Sequence, residues 1–243
     1  MAATDPALIR GLLFDKDGTI LRYDESWGPV NREAARIAAA GGDSAFEERL
    51  LIACGMDPVT GRTMADSLFA AGTAAQIAAG LVEAGSPLDV ATLTVALDDL
   101  FVRAADFSVA VTDLAAFFGR LRRRGYRLGV ASSDNERSIR ETARRFGFLE
   151  HLDFIAGYDS GHGCKPEPGM VLGFCRAVGL EPSQVAVIGD NNHDLHMAAA
   201  AGAGLKVAVL SGTGSLSTLE AAADHVLGDI LGLETLLPVF QPA

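Results

Sequence analysis

Gly11-Leu12-Leu13-Phe14-Asp15-Lys16-Asp17-Gly18-Thr19-Ile20 is a short apolar run that stops abruptly at two carboxylates. Leu12, Leu13 and Phe14 read as the end of a buried strand, too short for a helix and closed by a turn signal. Residues two apart in an extended chain face the same side, so Asp15 and Asp17 project together, with Thr19 next if the chain stays extended. Gly18 lets the backbone leave the strand sharply. Two carboxylates so close repel each other and need a divalent cation, a shared proton, or both. Read alone, the stretch also fits an acidic turn after a strand, so the rest of the chain has to decide.

Beyond Ile20 the chain is mixed and polar through Tyr23-Asp24-Glu25-Ser26-Trp27. From Asn31 to Arg103 it becomes alanine-rich with helical spacing. Ala34, Ile37, Ala38 and Ala40 form one stripe and Leu50, Leu51 and Cys54 another. Ile77, Leu81 and Val82 follow, then Leu93, Leu97, Leu100 and Phe101. Gly41-Gly42, Asp57-Pro58, Gly72 and Ser86-Pro87 punctuate them. This pattern predicts a helical domain over 23–107, inserted between two parts (1–22 and 108–243) of another fold.

From Thr112 onward strands alternate with helices. A helix capped by Thr112 runs to Arg124 and stops at Gly125, and Tyr126 to Ala131 reads as a strand ending in Ser132-Ser133-Asp134-Asn135. A helix to Phe146, a short strand Phe154–Ala156 and a glycine-rich loop 157–168 come next. Helix 170–178 leads to strand Val185–Ile188, which ends in Gly189-Asp190. Helix 195–201, strand 205–210, helix 217–223, strand 225–227 and a closing helix 230–237 complete the chain. The alternation predicts an α/β fold, a doubly wound parallel sheet covered on both faces with a smaller α-helical cap. Asp15, Ser132 and Asp190 each follow an apolar strand, and ligands bind beyond the carboxyl ends of such strands.

Composition narrows the function. The 243 residues are 49% hydrophobic and 21% charged, as in globular chains. A net charge of −11 without a basic block argues against nucleic-acid or anionic-membrane partners. Cys54, Cys164 and Cys175 lie in no C-x-x-C pair and fit a reducing compartment without a zinc site. The start of the chain lacks the pattern of a secretion signal, and no apolar run reaches the ~18 residues of a membrane span, so a cytoplasmic location is expected. No pattern specifies an oligomeric state.

Four segments in order, Asp15-Lys16-Asp17-Gly18-Thr19, Ser132 after its strand, Lys165 in Cys164-Lys165-Pro166, and Gly189-Asp190-Asn191-Asn192-His193-Asp194, resemble the motifs of the haloacid dehalogenase superfamily of phosphohydrolases. The nearest branch is phosphoglycolate phosphatase-like, and the helical insert looks like that family's cap. The resemblance implies Mg2+-dependent hydrolysis of a small phosphorylated metabolite, with Asp15 as nucleophile and an aspartyl-phosphate intermediate. It implies that Asp17 is the acid and base, that Lys165 orients Asp15 and the phosphoryl group, and that Ser132, Ser133 and Thr19 bind phosphate. It also implies metal ligation by Asp15, Asp190, the Asp17 carbonyl and, in an outer position, Asp194. The chemistry agrees: an anionic nucleophile meets a dianionic ester, and magnesium and a lysine remove the repulsion. A phosphomutase of the same fold and a non-catalytic phospho-accepting switch are the alternatives. Alone, Ser132 also fits a helix cap, Lys165 a solvated loop and Asp194 a helix-start acid. His162 and His193 read as loop or surface residues, and Trp27 as hinge packing. In the loop 57–63, Arg62 is the expected cap cation for an acidic substrate.

Overall fold

Every residue of β1 (Gly11–Phe14) is buried, because the strand is paired on both sides. The structure, a computed structural model, describes residues 5–239. After β1 the chain forms α1 (Tyr23–Ala39), α2 (Ser44–Ala53), α3 (Leu68–Ala71), α4 (Ala74–Glu83) and α5 (Val90–Ala104). It then alternates: α6 (Leu114–Arg123), β2 (Arg127–Ala131), α7 (Glu136–Arg145), β3 (Phe154–Ala156), α8 (Gly169–Val178), β4 (Val185–Gly189), α9 (Asn192–Ala201), β5 (Leu205–Val209), α10 (Leu216–Leu219), β6 (His225–Leu227) and α11 (Leu233–Leu236). The strands pair in the order β3-β2-β1-β4-β5-β6, all parallel, with Leu12 beside Leu128 and Ala186.

The strand period of two divides the core. Leu12 and Phe14 face one layer with Phe117, Phe118, Ile139, Phe148 and Leu233, while Leu13 faces the other with Met170, Phe174, Met197 and Ala198. The sheet is therefore covered on both faces, as its near-continuous apolar strands require. Phe118 stacks on Phe148 with centroids 4.7 Å apart and meets Phe14 edge-on at 5.1 Å. Helices α1 to α5 bury a separate apolar cluster built on Ala34, Ala38, Leu50, Leu81, Leu93 and Leu97. Two chain segments lead to and from this layer side by side, where Arg22 N donates to the Val109 carbonyl and Val111 N to the Ile20 carbonyl.

Several boundaries differ from the sequence reading. α1 begins at Tyr23, ahead of the helical spacing read from Asn31, so the polar stretch 23–27 is its first turns. Pro29 forfeits one helical hydrogen bond, but burial of Tyr23, Trp27 and Val30 holds the segment helical. Asp113, not Thr112, caps α6 by accepting from Ala116 N. α9 starts at Asn192, which places Asp194 in its first turn. α10 and α11 are single turns, shorter than expected.

Candidate active site

The crossovers run outward in opposite directions from β1 and β4, so the carboxyl ends of these strands border an open crevice. Asp15 follows β1, Ser132 follows β2 and Asp190 follows β4. All three line one cleft, together with Asp17, Ser133, Lys165, Asn191, His193 and Asp194 from the same edge. Helices α1, α3, α4 and α5 roof it, leaving a cavity of about 40 Å³.

Lys165 sits in the loop before α8, and its buried ammonium donates to Asp15 Oδ1 and Asp194 Oδ1, each at 2.5 Å. Burial by itself would lower the lysine pKa, but Asp15 and Asp194 outweigh it and hold the group above its ordinary value. Asp194 is also the third residue of α9. Its Oδ2 accepts from Asn191 N at 3.3 Å, closing the capping box at the helix start. Asp190 Oδ2 accepts from Thr213 N at 2.8 Å, and Oδ1 from the Thr19 hydroxyl at 3.3 Å. Gly18, at φ 88°, passes so close that an added Cβ would lie 2.5 Å from Asp190 Oδ2, and Gly212 presses on the same carboxylate. Both glycines are therefore required by this approach.

The carboxylates of Asp15, Asp190 and Asp194 converge within 4.8 Å of one another and are all buried. Burial first, then the charges of Asp15 and Asp194, pushes Asp190 well above the usual carboxylate range, and burial raises Asp194 to about 6. A buried, mutually repelling set of hard oxygen donors fits a small divalent cation such as Mg2+.

Asp17 faces the cleft from the turn after β1. Trp27 Nε1 donates to its Oδ1 at 2.6 Å, and Lys16 Nζ lies 3.0 Å from its Oδ2. Burial raises its pKa to about 6, against the lowering pull of Lys16. Lys16 is itself only 3% exposed; it bridges to Asp134 Oδ2 at 2.7 Å and lies over the Trp27 ring. A carboxyl near 6 can exchange a proton near neutrality, and the buried Lys165 ammonium beside Asp15 can attract an anion.

Two expected site residues lie elsewhere. Thr19 is wholly buried beneath Asp190 and does not line the cleft, because the chain turns at Asp17-Gly18 and does not stay extended. Arg62 is exposed and borders an outer depression with Asp24, Glu25 and Arg32. Its loop is folded on itself by Asp57, whose side chain accepts from Val59 N, Thr60 N and Thr60 Oγ1. His162 packs against Phe154, away from the cleft. His193 differs from its sequence reading: it lines the cleft, and burial lowers its pKa.

Sequence reading missed Lys16, Trp27, Asp134 and Thr213. Asp134 carried a signal, standing two residues after Ser132 at a strand end. Lys16 carried none, because alternation aims it away from Asp15 until the turn brings it back. Thr213 lies in a loop that no motif marks.

A sequence description of the haloacid dehalogenase-like hydrolases matches residues 9–202. The phosphoglycolate phosphatase of Chromobacterium violaceum is 29% identical over 133 residues, 55% of this chain and 59% of that protein. The probable phosphatase IndB of Dickeya dadantii is 32% identical over 109 residues, 45% of this chain and 47% of that one. The chain thus spans about half the length of the curated relatives it matches. The crystal structure of a predicted phosphoglycolate phosphatase from Haemophilus somnus 129PT superposes with a TM-score of 0.74 over 95% of this chain and 98% of that chain, at 17% identity, a likeness of fold. With the motif residues gathered at one sheet edge and most of the sequence matched, the chain belongs to the haloacid dehalogenase-like hydrolase family.

Proposed function

We propose that this protein is a Mg2+-dependent phosphatase that hydrolyses a small phosphate monoester through an aspartyl-phosphate at Asp15. The observation that carries the reading is the pairing of Asp15 with buried Lys165 in the same small cleft as Asp17, an acid near 6. Lys165 attracts the phosphoryl oxygens and fixes the Asp15 carboxylate. Ser132, Ser133 and nearby amides hold the remaining oxygens. An Asp15 oxygen attacks phosphorus, the ester P–O bond breaks, and Asp17 gives its proton to the departing alkoxide. Asp17 then takes a proton from water, whose oxygen attacks phosphorus; the Asp15–phosphorus bond breaks, releasing phosphate and restoring the carboxylate. Asp15, Asp190, Asp194 and the Asp17 carbonyl would hold Mg2+, which supplies charge neutralisation between nucleophile and ester when bound.

Residues 23–107 act in this reading as a lid that excludes water and reopens for release. The cleft lining favours hydrolysis over mutase chemistry, since a bisphosphate needs a second anion site. Among the described residues lining the cleft, the only lysine or arginine is Lys165. Several relatives are named phosphoglycolate phosphatases, and phosphoglycolate is a small phosphate monoester of the class proposed here. No described helix is long and apolar enough to cross a membrane, and the unpaired Cys54, Cys164 and Cys175 suit a cytoplasmic setting. Purified protein should release phosphate from acetyl phosphate and small alkyl phosphates with Mg2+, and lose that activity in excess chelator. Equal activity with chelator would refute the metal, and none under any condition would refute the reading.

A further inference from the structure

The roof of the cleft differs in chemistry from its floor. It is made by Tyr23, Trp27, Phe69, Ala70–Gly72, Ile77 and Phe101, without a single charged side chain. Its few polar groups are already used within the protein. The Tyr23 hydroxyl donates to the Phe69 carbonyl at 2.5 Å, and Trp27 Nε1 donates to Asp17. The backbone N–H groups of Ala70, Ala71 and Gly72 donate to Ser67 Oγ, the Ser67 carbonyl and the Leu68 carbonyl. The roof therefore offers aromatic rings, two methyl groups and an isoleucine, and the N–H and O–H donors just named are already committed. The cations near it are committed too, Lys165 to Asp15 and Asp194, and Lys16 to Asp17 and Asp134. Arg62, the one cap cation expected to reach the substrate, lines an outer depression.

We infer that the leaving group of the substrate is a compact, uncharged, largely hydrocarbon alcohol, and that this site disfavours a carboxylate such as that of glycolate. The inference rests on the phosphatase reading. A carboxylate placed against this roof would lose its water and gain neither a cation nor an N–H donor from it, since the cleft's unpartnered nitrogens, Asn191 Nδ2 and His193 Nδ1, belong to the sheet-edge side, whereas alkyl carbons would be buried against like surface. Ala70, Ala71 and Gly72 are the small residues of the roof, and the bulk of Tyr23, Trp27, Phe69 and Phe101 around them favours a short alcohol.

The test compares kcat/KM for isobutyl phosphate and 2-phosphoglycolate, which match in shape and differ in charge, alongside methyl and ethyl phosphate. Acetyl phosphate serves as a control whose leaving group needs no proton. Each buried carbon should raise kcat/KM by about fourfold, and isobutyl phosphate should exceed 2-phosphoglycolate by more than about tenfold. Ala70→Arg, which puts a cation into the roof, should shift the preference toward 2-phosphoglycolate. Equal rates, or a wild-type preference for 2-phosphoglycolate, would overturn the inference while leaving the phosphatase reading intact. No phosphate release from acetyl phosphate or any ester would overturn the phosphatase reading, and the inference with it.

Discussion

Replacing Trp27 with phenylalanine removes one hydrogen-bond donor from the proposed acid while keeping an aromatic ring, though a smaller one, beneath Lys16. The phenyl ring keeps the place of an indole that meets Phe101 edge-on at 4.9 Å and stacks on Tyr23 at 6.3 Å. The bond lost is the one from Trp27 Nε1 to Asp17 Oδ1, 2.6 Å long and largely shielded from water. It favours the ionised carboxylate, so losing it raises the Asp17 pKa from about 6. A hydrogen bond to a charged group contributes about 1.5–3 kcal/mol, and each pKa unit corresponds to about 1.36 kcal/mol. The expected rise is therefore about one to two units. An alkyl ester needs the protonated acid for its first step, so kcat/KM falls as pH climbs past that pKa, and in Trp27→Phe the fall moves upward by the same amount. The assay is a pH profile of phosphate release from an alkyl phosphate, with Asp17→Asn as the control that should lose this limb altogether. An unmoved limb in Trp27→Phe would refute the claim that Trp27 tunes Asp17.

Lys16→Met leaves the Asp17 and Asp134 carboxylates without their shared cation, and removing one partner of a buried pair costs about 3–5 kcal/mol. Urea denaturation should show that loss, with part of it regained when Asp134→Asn is added; an unchanged midpoint would mean that Lys16 is not a structural bridge. Arg62→Ala should change kcat/KM on both anionic and neutral esters by less than about twofold, as is usual for an exposed residue outside a site. A selective loss on anionic esters would return Arg62 to the cleft.

The sheet edge was legible because it is written locally. Apolar runs that end in Asp15, Ser132 and Asp190 announce buried parallel strands and their carboxyl ends, and the covered core follows from the same alternation. Lys165 and Asp194 could be placed only through the motif pattern, since a loop lysine and a helix-start acid have ordinary local explanations. What escaped depends on the path of the chain. The turn at Asp17-Gly18 reverses the side that Lys16 faces and sends Thr19 under Asp190. The stretch 23–27 read as mixed and polar before a helical region from Asn31, but burial of Tyr23 and Trp27 makes it the start of α1, and that helix is what carries Trp27 to Asp17. The Arg62 loop looked free to reach downward, but Asp57 folds it outward.

The most direct measurement is to quench the enzyme in acid during turnover of acetyl phosphate with Mg2+ and map the phosphoryl group by mass spectrometry. A single phosphorylated position at Asp15, absent in Asp15→Asn and accumulating in Asp17→Asn, is the result this account predicts. Phosphate release by folded Asp15→Asn, or a phosphoryl group on any other side chain, would contradict it.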